Sequence, residues 1–191
     1  LSRRQGHDRY DFSSSVIVGD GLAAFSEPVR KLKKRECFSQ LHDYIYGDND
    51  GKVLVLFGLR RTGKTTLIRQ LIEEMDDSII ARTAFMQIMP SNTLADINKD
   101  LIHLFHDGYR YVFIDEVTML SDFIEGGALF ADLFASSGMK IILSGTDSLG
   151  FVFAGDEQLY DRMIMVHTTF IPYREFVSVL GIRGVDEYIR F

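Results

Sequence analysis

Short dense apolar runs alternate along this chain with longer stretches of helical repeat. The first dense run is 53–57, Val-Leu-Val-Leu-Phe, apolar at every position as in a strand covered on both faces. From Lys64 the period changes. Leu67, Ile68, Leu71, Ile72 and Met75 recur at i, i+1, i+4, i+5 and i+8, the face of a helix. Further apolar runs predict strands over 78–86, 111–114, 139–143 and 163–170. Asn92 or Thr93 caps a predicted helix running to about residue 106, where Asp107-Gly108 breaks it, and another helix spans about 123–135, ended by Ser136-Ser137-Gly138. Strands alternating with helices predict crossover connections and a parallel sheet of about five strands flanked by helices, an α/β three-layer sandwich.

The first fifty residues are patterned less clearly. Residues 1–15 are polar and aperiodic and predict a segment draped over the domain. A brief extended stretch at 16–18 is closed by Gly19-Asp20-Gly21. Ser26 reads as a helix N-cap with Pro28 in the first turn, and Val29, Leu32, Phe38, Leu41 and Ile45 predict one helix stopping at Gly47. Residues 1–25 are therefore expected as an N-terminal extension and 26–191 as the domain. The basic run Arg30, Lys31, Lys33, Lys34, Arg35 is expected on a solvated helix face rather than against nucleic acid.

The junction of the first dense run with its helix carries the chemistry. Gly58, Leu59, Arg60, Arg61, Thr62, Gly63, Lys64 and Thr65 match G-x-x-x-x-G-K-[ST], with a strand before and a helix after. Such a loop wraps polyphosphate: its backbone N–H groups face inward, glycines permit the dihedrals, and the helix aims its positive end at the anion. Lys64 is placed to reach the β- and γ-phosphates, the Thr65 hydroxyl to bind Mg²⁺ and Thr66 to hold an α-phosphate. The predicted fold is accordingly a P-loop NTPase.

A second site follows from the run at 111–114, which ends in Asp115-Glu116. Asp115 is expected to complete the Mg²⁺ shell with Thr65, and Glu116 to polarise an attacking water. A carboxylate beside the metal acid favours water as phosphoryl acceptor. A third element is the polar end of the 139–143 run, Ser144-Gly145-Thr146. Ser144 first and Thr146 second are candidates to sit between Asp115 and the γ-phosphate, although a capping role in a βα loop fits the spacing equally.

Composition narrows the alternatives. The chain has 191 residues, 46% hydrophobic and 25% charged, the ordinary make-up of one soluble domain. Its net charge of −6 gives no broad grip on nucleic acid, although a local patch remains compatible. The single Cys37 forms no intrachain disulfide and suits a reducing cytosol, and no apolar run approaches a membrane span. The histidines at 7, 42, 103, 106 and 167 form no metal signature.

Taken in order, Gly58 to Thr66, Phe113-Ile114-Asp115-Glu116, Ile142 to Ser148 and Pro172-Tyr173-Arg174-Glu175-Phe176 resemble the prokaryotic AAA-superfamily ATPases of the AAA 14 type, over residues 53–180. Thr118 stands where that family often has Gln, and Asp161-Arg162 where it tends to have Gly-Arg. The resemblance implies ATP as the nucleotide, in keeping with the absence of an N-K-x-D guanine-reading motif. It also implies a further C-terminal domain, so that a chain running from Leu1 to Phe191 is expected to be a piece of a longer protein.

These readings imply Mg²⁺-dependent ATP hydrolysis coupled to a conformational change in an unidentified effector, with a homo-oligomer compatible. An ATP-operated switch with little hydrolysis is the alternative, and a small-molecule phosphotransferase a third for which no lid is evident. Arg162 is expected either as an arginine finger on the γ-phosphate, in its own subunit or a neighbour's, or as an ion-pair partner of Asp156, Glu157 or Asp161.

Overall fold

A computed structural model of the chain describes residues 11–49, 51–123, 130–146, 148, 161–181 and 189. The dense apolar runs form one sheet. Its strands are β1 (Ser15–Val18), β2 (Val53–Gly58), β3 (Thr83–Gln87), β4 (Tyr111–Asp115), β5 (Lys140–Gly145) and β6 (Met163–Thr168). Their order across the sheet is β1-β3-β4-β5-β2-β6. β2 to β6 run parallel, as expected, and β5 is inserted between β2 and β4.

Alternation within β2 shows why the run is apolar throughout. Val53 and Val55 face one layer, with Met86, Val112, Ile114 and Leu143 from neighbouring strands. Leu54 and Leu56 face the other, with Phe85, Phe113, Ile142 and Val166. The first face is covered by α5 (Leu94–His106) through Ile97, Leu101 and Leu104. The second is covered by α1 (Asp20–Ser26), α2 (Phe38–Tyr46) and α3 (Lys64–Glu74), through Leu22, Leu41, Ile45, Leu67, Ile68 and Leu71. A strand buried on both faces leaves no polar position, and β2 has none.

Three expectations change. Residues 26–46 are not one helix: α1 ends at Ser26, a 3-10 turn follows at Glu27–Val29, and the chain crosses as a strap to α2. Ser26 does not cap; its hydroxyl donates to Glu73 Oε2 at 2.7 Å. The basic run lies in this turn and strap, where Arg30 pairs with Glu73, Lys34 with Glu74 and Arg35 with Glu175. The cations thus meet three carboxylates, two from α3 and one from α6 (Tyr173–Leu180), rather than sharing one helix face.

The second change is at 78–86. A short helix α4 (Asp77–Ile80) precedes β3, because the Asp76 carbonyl accepts from the amides of Ile79 and Ile80 at 2.9 Å each. Strand pairing begins only where Thr83 meets Tyr111.

Third, the sheet has six strands rather than about five, because Ser15–Val18 adds an edge strand, β1. β1 pairs antiparallel with β3, and Leu22 of α1 is fully buried. The buried Asp100 of α5 holds the lead into β1, accepting from the amides of Ser13 and Ser14 at 3.0 and 2.8 Å and from the Ser14 hydroxyl at 2.7 Å.

Elsewhere the boundaries agree closely. Thr93 caps α5 in a reciprocal capping box with Asp96. Within the expected helix at 123–135, residues 124–129 lie outside the described set, and Phe130–Ala135 is a π-helical segment. Among the described residues, no helix is long and apolar enough to cross a membrane.

Candidate functional site

Every candidate except one gathers at the carboxyl ends of β2, β4 and β5. β2 ends at Gly58, whose φ of 156° takes the chain out of the sheet. A Cβ on Gly58 would lie 2.2 Å from both the Thr168 carbonyl oxygen and its Oγ1, so the residue must be glycine for β6 to pass. The loop returns through Arg61 and Gly63, both left-handed at φ 67° and 89°, and Gly63 becomes the N-cap of α3. A non-glycine residue in that region is strained, which is common where a loop is shaped for a ligand.

A cavity of about 600 Å³ opens over this loop, lined by Arg60, Arg61, Gly63, Lys64, Thr65, Thr66 and Glu116. Lys64 is buried in it and donates to the carbonyls of Gly58 and Leu59 at 2.9 and 2.7 Å. Thr62 turns the other way. Its hydroxyl donates to the Leu59 carbonyl at 2.8 Å and meets Thr168 Oγ1 at 2.8 Å, so it braces the loop from behind.

Asp115 is 2% exposed and accepts from two hydroxyls. Thr65 Oγ1 donates to its Oδ2 at 2.8 Å, and Ser144 Oγ donates to its Oδ1. The register explains the second contact: Ile114 stands opposite Leu143, so the next residues on β4 and β5 are Asp115 and Ser144. Thr146, the other candidate, instead bonds its hydroxyl to Ser148 and its amide to Thr118 Oγ1. Glu116 is left-handed at φ 64°; its amide points at Ser144 Oγ over 3.5 Å, and its side chain lines the cavity.

Arg162 is not brought to this loop. It precedes β6, and its carbonyl accepts from the Val53 amide at the start of β2, the opposite edge of the sheet. At about 3.3 Å per strand residue that is roughly 17–20 Å from the loop. Its guanidinium pairs with Asp132 at 2.8 Å, a partner not among the three expected. Of those three, Asp156 and Glu157 lie outside the described residues.

Sequence reasoning missed a second cavity and the pair beside it. About 250 Å³ lies between the strap, α3 and α6, with Leu32, Leu67, Phe170, Ile171, Val179 and Leu180 as apolar lining, Lys33, Arg35, Arg61 and Gln70 as polar lining, and Thr62, Gly63 and Thr66 on the loop side. Gln70 on α3, 4% exposed, holds the strap by donating to the carbonyls of Leu32 and Lys33 at 3.1 and 3.3 Å. Arg35 and Glu175 pair beneath it. Burial pushes the Glu175 carboxyl up, but the Arg35 hydrogen bonds and the Glu36 amide outweigh it and hold the group below the ordinary glutamate value. Glu175 lies within a motif that the sequence singled out, but Arg35 was hidden in a run of similar cations.

The oxygen donors suit a hard divalent cation: one buried carboxylate and one hydroxyl, leaving positions for phosphate oxygens and water. Among the described residues no cluster of three or more His, Cys, Asp or Glu offers an all-protein metal cage. Cys37 is half-buried and burial raises its thiol pKa, as for a structural cysteine.

Residues 50–177 match the AAA domain family. No curated protein matches the chain. Among solved structures, it resembles the S. cerevisiae Hsp104:casein complex in its extended conformation, with a TM-score of 0.59 and 13% identity, covering 87% of this chain and 32% of that one. It also resembles the S. cerevisiae Hsp104–ADP complex, with a TM-score of 0.57 and 16% identity, covering 87% of this chain and 26% of that one. The chain thus spans about a third or less of the Hsp104 chains, and the likeness is one of fold.

Proposed function

We propose that this chain, which belongs to the AAA domain family, binds ATP with Mg²⁺ over the loop 58–66 and hydrolyses it, coupling turnover to a conformational change in an effector. One observation carries the reading: residues distant in sequence converge at the carboxyl edge of the sheet, where Lys64, Thr65 and Glu116 line one cavity and Asp115, buried behind it, accepts from the hydroxyls of Thr65 and Ser144. That edge, at the mouth of a parallel sheet, is where ligands of such folds bind.

The loop amides and Lys64 take the phosphates, Lys64 exchanging its loop carbonyls for phosphate oxygens. Thr65 and Asp115 would hold Mg²⁺, and the ion would supply charge neutralisation to the phosphates. Glu116 orients water and accepts its proton. Ser144, fixed on Asp115, stands where the loss of the γ-phosphate is felt through the carboxylate.

The largely apolar cavity between the strap and α6 takes the base, since it adjoins the loop at Thr62, Gly63 and Thr66 and offers Leu32, Leu67, Phe170, Ile171, Val179 and Leu180 as apolar lining. An adenine base is supported by the absence of a guanine-reading motif and by the ADP complex among the similar folds. Arg162, 40% exposed and paired with the 52% exposed Asp132, is assigned no part in its own subunit's chemistry.

Calorimetric titration of MgATP into wild type and Lys64→Ala tests the assignment. The folded variant is expected to lose nucleotide binding; unchanged affinity removes the phosphate-loop role. Binding without turnover by wild type selects the switch reading over the hydrolase.

A further inference from the structure

Arg35 and Glu175 form the most enclosed ion pair among the described residues, with side chains 10% and 4% exposed. The contact is a fork. Arg35 Nε donates to Glu175 Oε1 at 3.2 Å and Nη2 to Oε2 at 3.1 Å. Nη1 donates to the carbonyls of Thr62 and Thr169, at 2.9 Å each. Glu175 Oε1 also accepts from the Glu36 amide at 2.7 Å. One guanidinium and one carboxylate thereby join four segments: the strap, the phosphate loop, the chain leaving β6, and the first turn of α6.

Enclosed ion pairs seldom add stability over apolar packing of the same shape, because desolvation offsets the attraction. What a bidentate fork does supply is geometry. Here the geometry relates the two cavities. Thr62 belongs to the loop under the larger one; Val179 and Leu180, on the last turn of α6, wall the smaller one. The loop has its own ties through Thr62 Oγ1, and the strap has its own through Gln70. α6 has two buried residues, Phe176, which packs as an apolar anchor, and Glu175, whose carboxylate ties the helix through Arg35 to the loop. Four of the five Arg35 N–H donors are engaged within the protein, so its contribution is placement.

We infer that the Arg35–Glu175 pair is a positioning brace: it holds α6, the wall of the base cavity, at a set distance from the phosphate loop, so that one nucleotide is gripped at both ends. The inference rests on the nucleotide reading above. It also makes α6 the element that feels a change at Thr62 when the loop closes on phosphate.

The test compares two probes, MgATP and Mg-tripolyphosphate, by calorimetry on wild type, on Arg35→Met/Glu175→Met and on Arg35→Lys. The double variant leaves no orphaned charge; the lysine keeps the charge and loses the fork. Wild type is expected to prefer ATP. In the double variant that preference falls by about tenfold or more, with tripolyphosphate affinity held within about threefold, and Arg35→Lys moves the same ratio part of the way. Hydrogen exchange supplies a second readout: ATP slows exchange of α6 amides in wild type and not in the variants. Equal losses for both probes, an unchanged ratio, or a wild type indifferent to the base overturn the brace. If the double variant does not fold, the Arg35→Lys ratio decides. A wild type that binds neither probe overturns the nucleotide reading itself, and the brace with it.

Discussion

Thr65 donates its hydroxyl to Asp115 across 2.8 Å, although they stand fifty positions apart, one in the helix after β2 and the other ending β4, strands that do not pair. β5 runs between those strands and brings Ser144 onto the carboxylate's other oxygen. Both carboxylate oxygens are therefore aimed by hydroxyls.

That arrangement predicts the behaviour of Asp115→Asn. The amide keeps the shape, removes the charge and turns one acceptor into a donor facing a hydroxyl. The folded variant is expected to lose most of the Mg²⁺-dependent part of ATP affinity while Mg²⁺-free ADP binding changes little. Titrations with Mg²⁺ and with chelator check this; equal Mg²⁺ dependence in variant and wild type removes Asp115 from the metal site.

Glu116 is held left-handed with its side chain on the cavity. Glu116→Gln is expected to bind ATP as wild type does and to hydrolyse it about 10²–10⁴-fold more slowly, the usual cost of losing a general base. Single-turnover hydrolysis measures it. A variant with wild-type turnover makes Glu116 a structural residue.

Gly58→Ala places a methyl group 2.2 Å from the Thr168 carbonyl. The clash is with backbone, so no rotamer relieves it; loop or β6 must shift, at a cost of about 1–3 kcal/mol or more. At about 2–4 °C per kcal/mol for a domain of this size, a melting temperature several degrees lower is expected. Gly138→Ala is the control. Its Cβ meets nothing within 4 Å, so only the positive φ opposes it, at about 1–2 kcal/mol.

Glu175 predicts an acid sensitivity. Its folded pKa lies below the ordinary value of 4.5, so its contribution to stability is present above pH 4.5 and is lost as pH falls through the depressed value. Thermal melts between about pH 6 and pH 3 should therefore show a steeper fall for wild type than for Arg35→Met/Glu175→Met, with the excess confined to the acid side of 4.5. Parallel curves would mean that the pair forms no more strongly in the folded chain than in the unfolded one.

What could be read locally was what the backbone itself demands. β2, the glycine loop and α3 are legible because a strand covered on both faces must be apolar throughout, a phosphate loop needs glycines at fixed offsets, and a helix repeats its apolar face. The acids of Asp115-Glu116 are legible for the same reason, as they end an apolar strand at the proper distance from that loop.

Tertiary structure decided the rest, because the partners lie far along the chain and leave no local mark. Ser144 rather than Thr146 meets Asp115 because β4 and β5 pair in one register. Arg162 stands at the far edge of the sheet because β6 runs parallel to β2 and pairs Met163 with Val53. The residues expected as one helix at 26–46 divide after Ser26, and the basic run instead meets Glu73, Glu74 and Glu175 from α3 and α6. Arg35 finds Glu175 across 140 positions. A periodicity records which face of an element is buried, whereas the choice of neighbour is made only when strands pair and charges must be matched out of water.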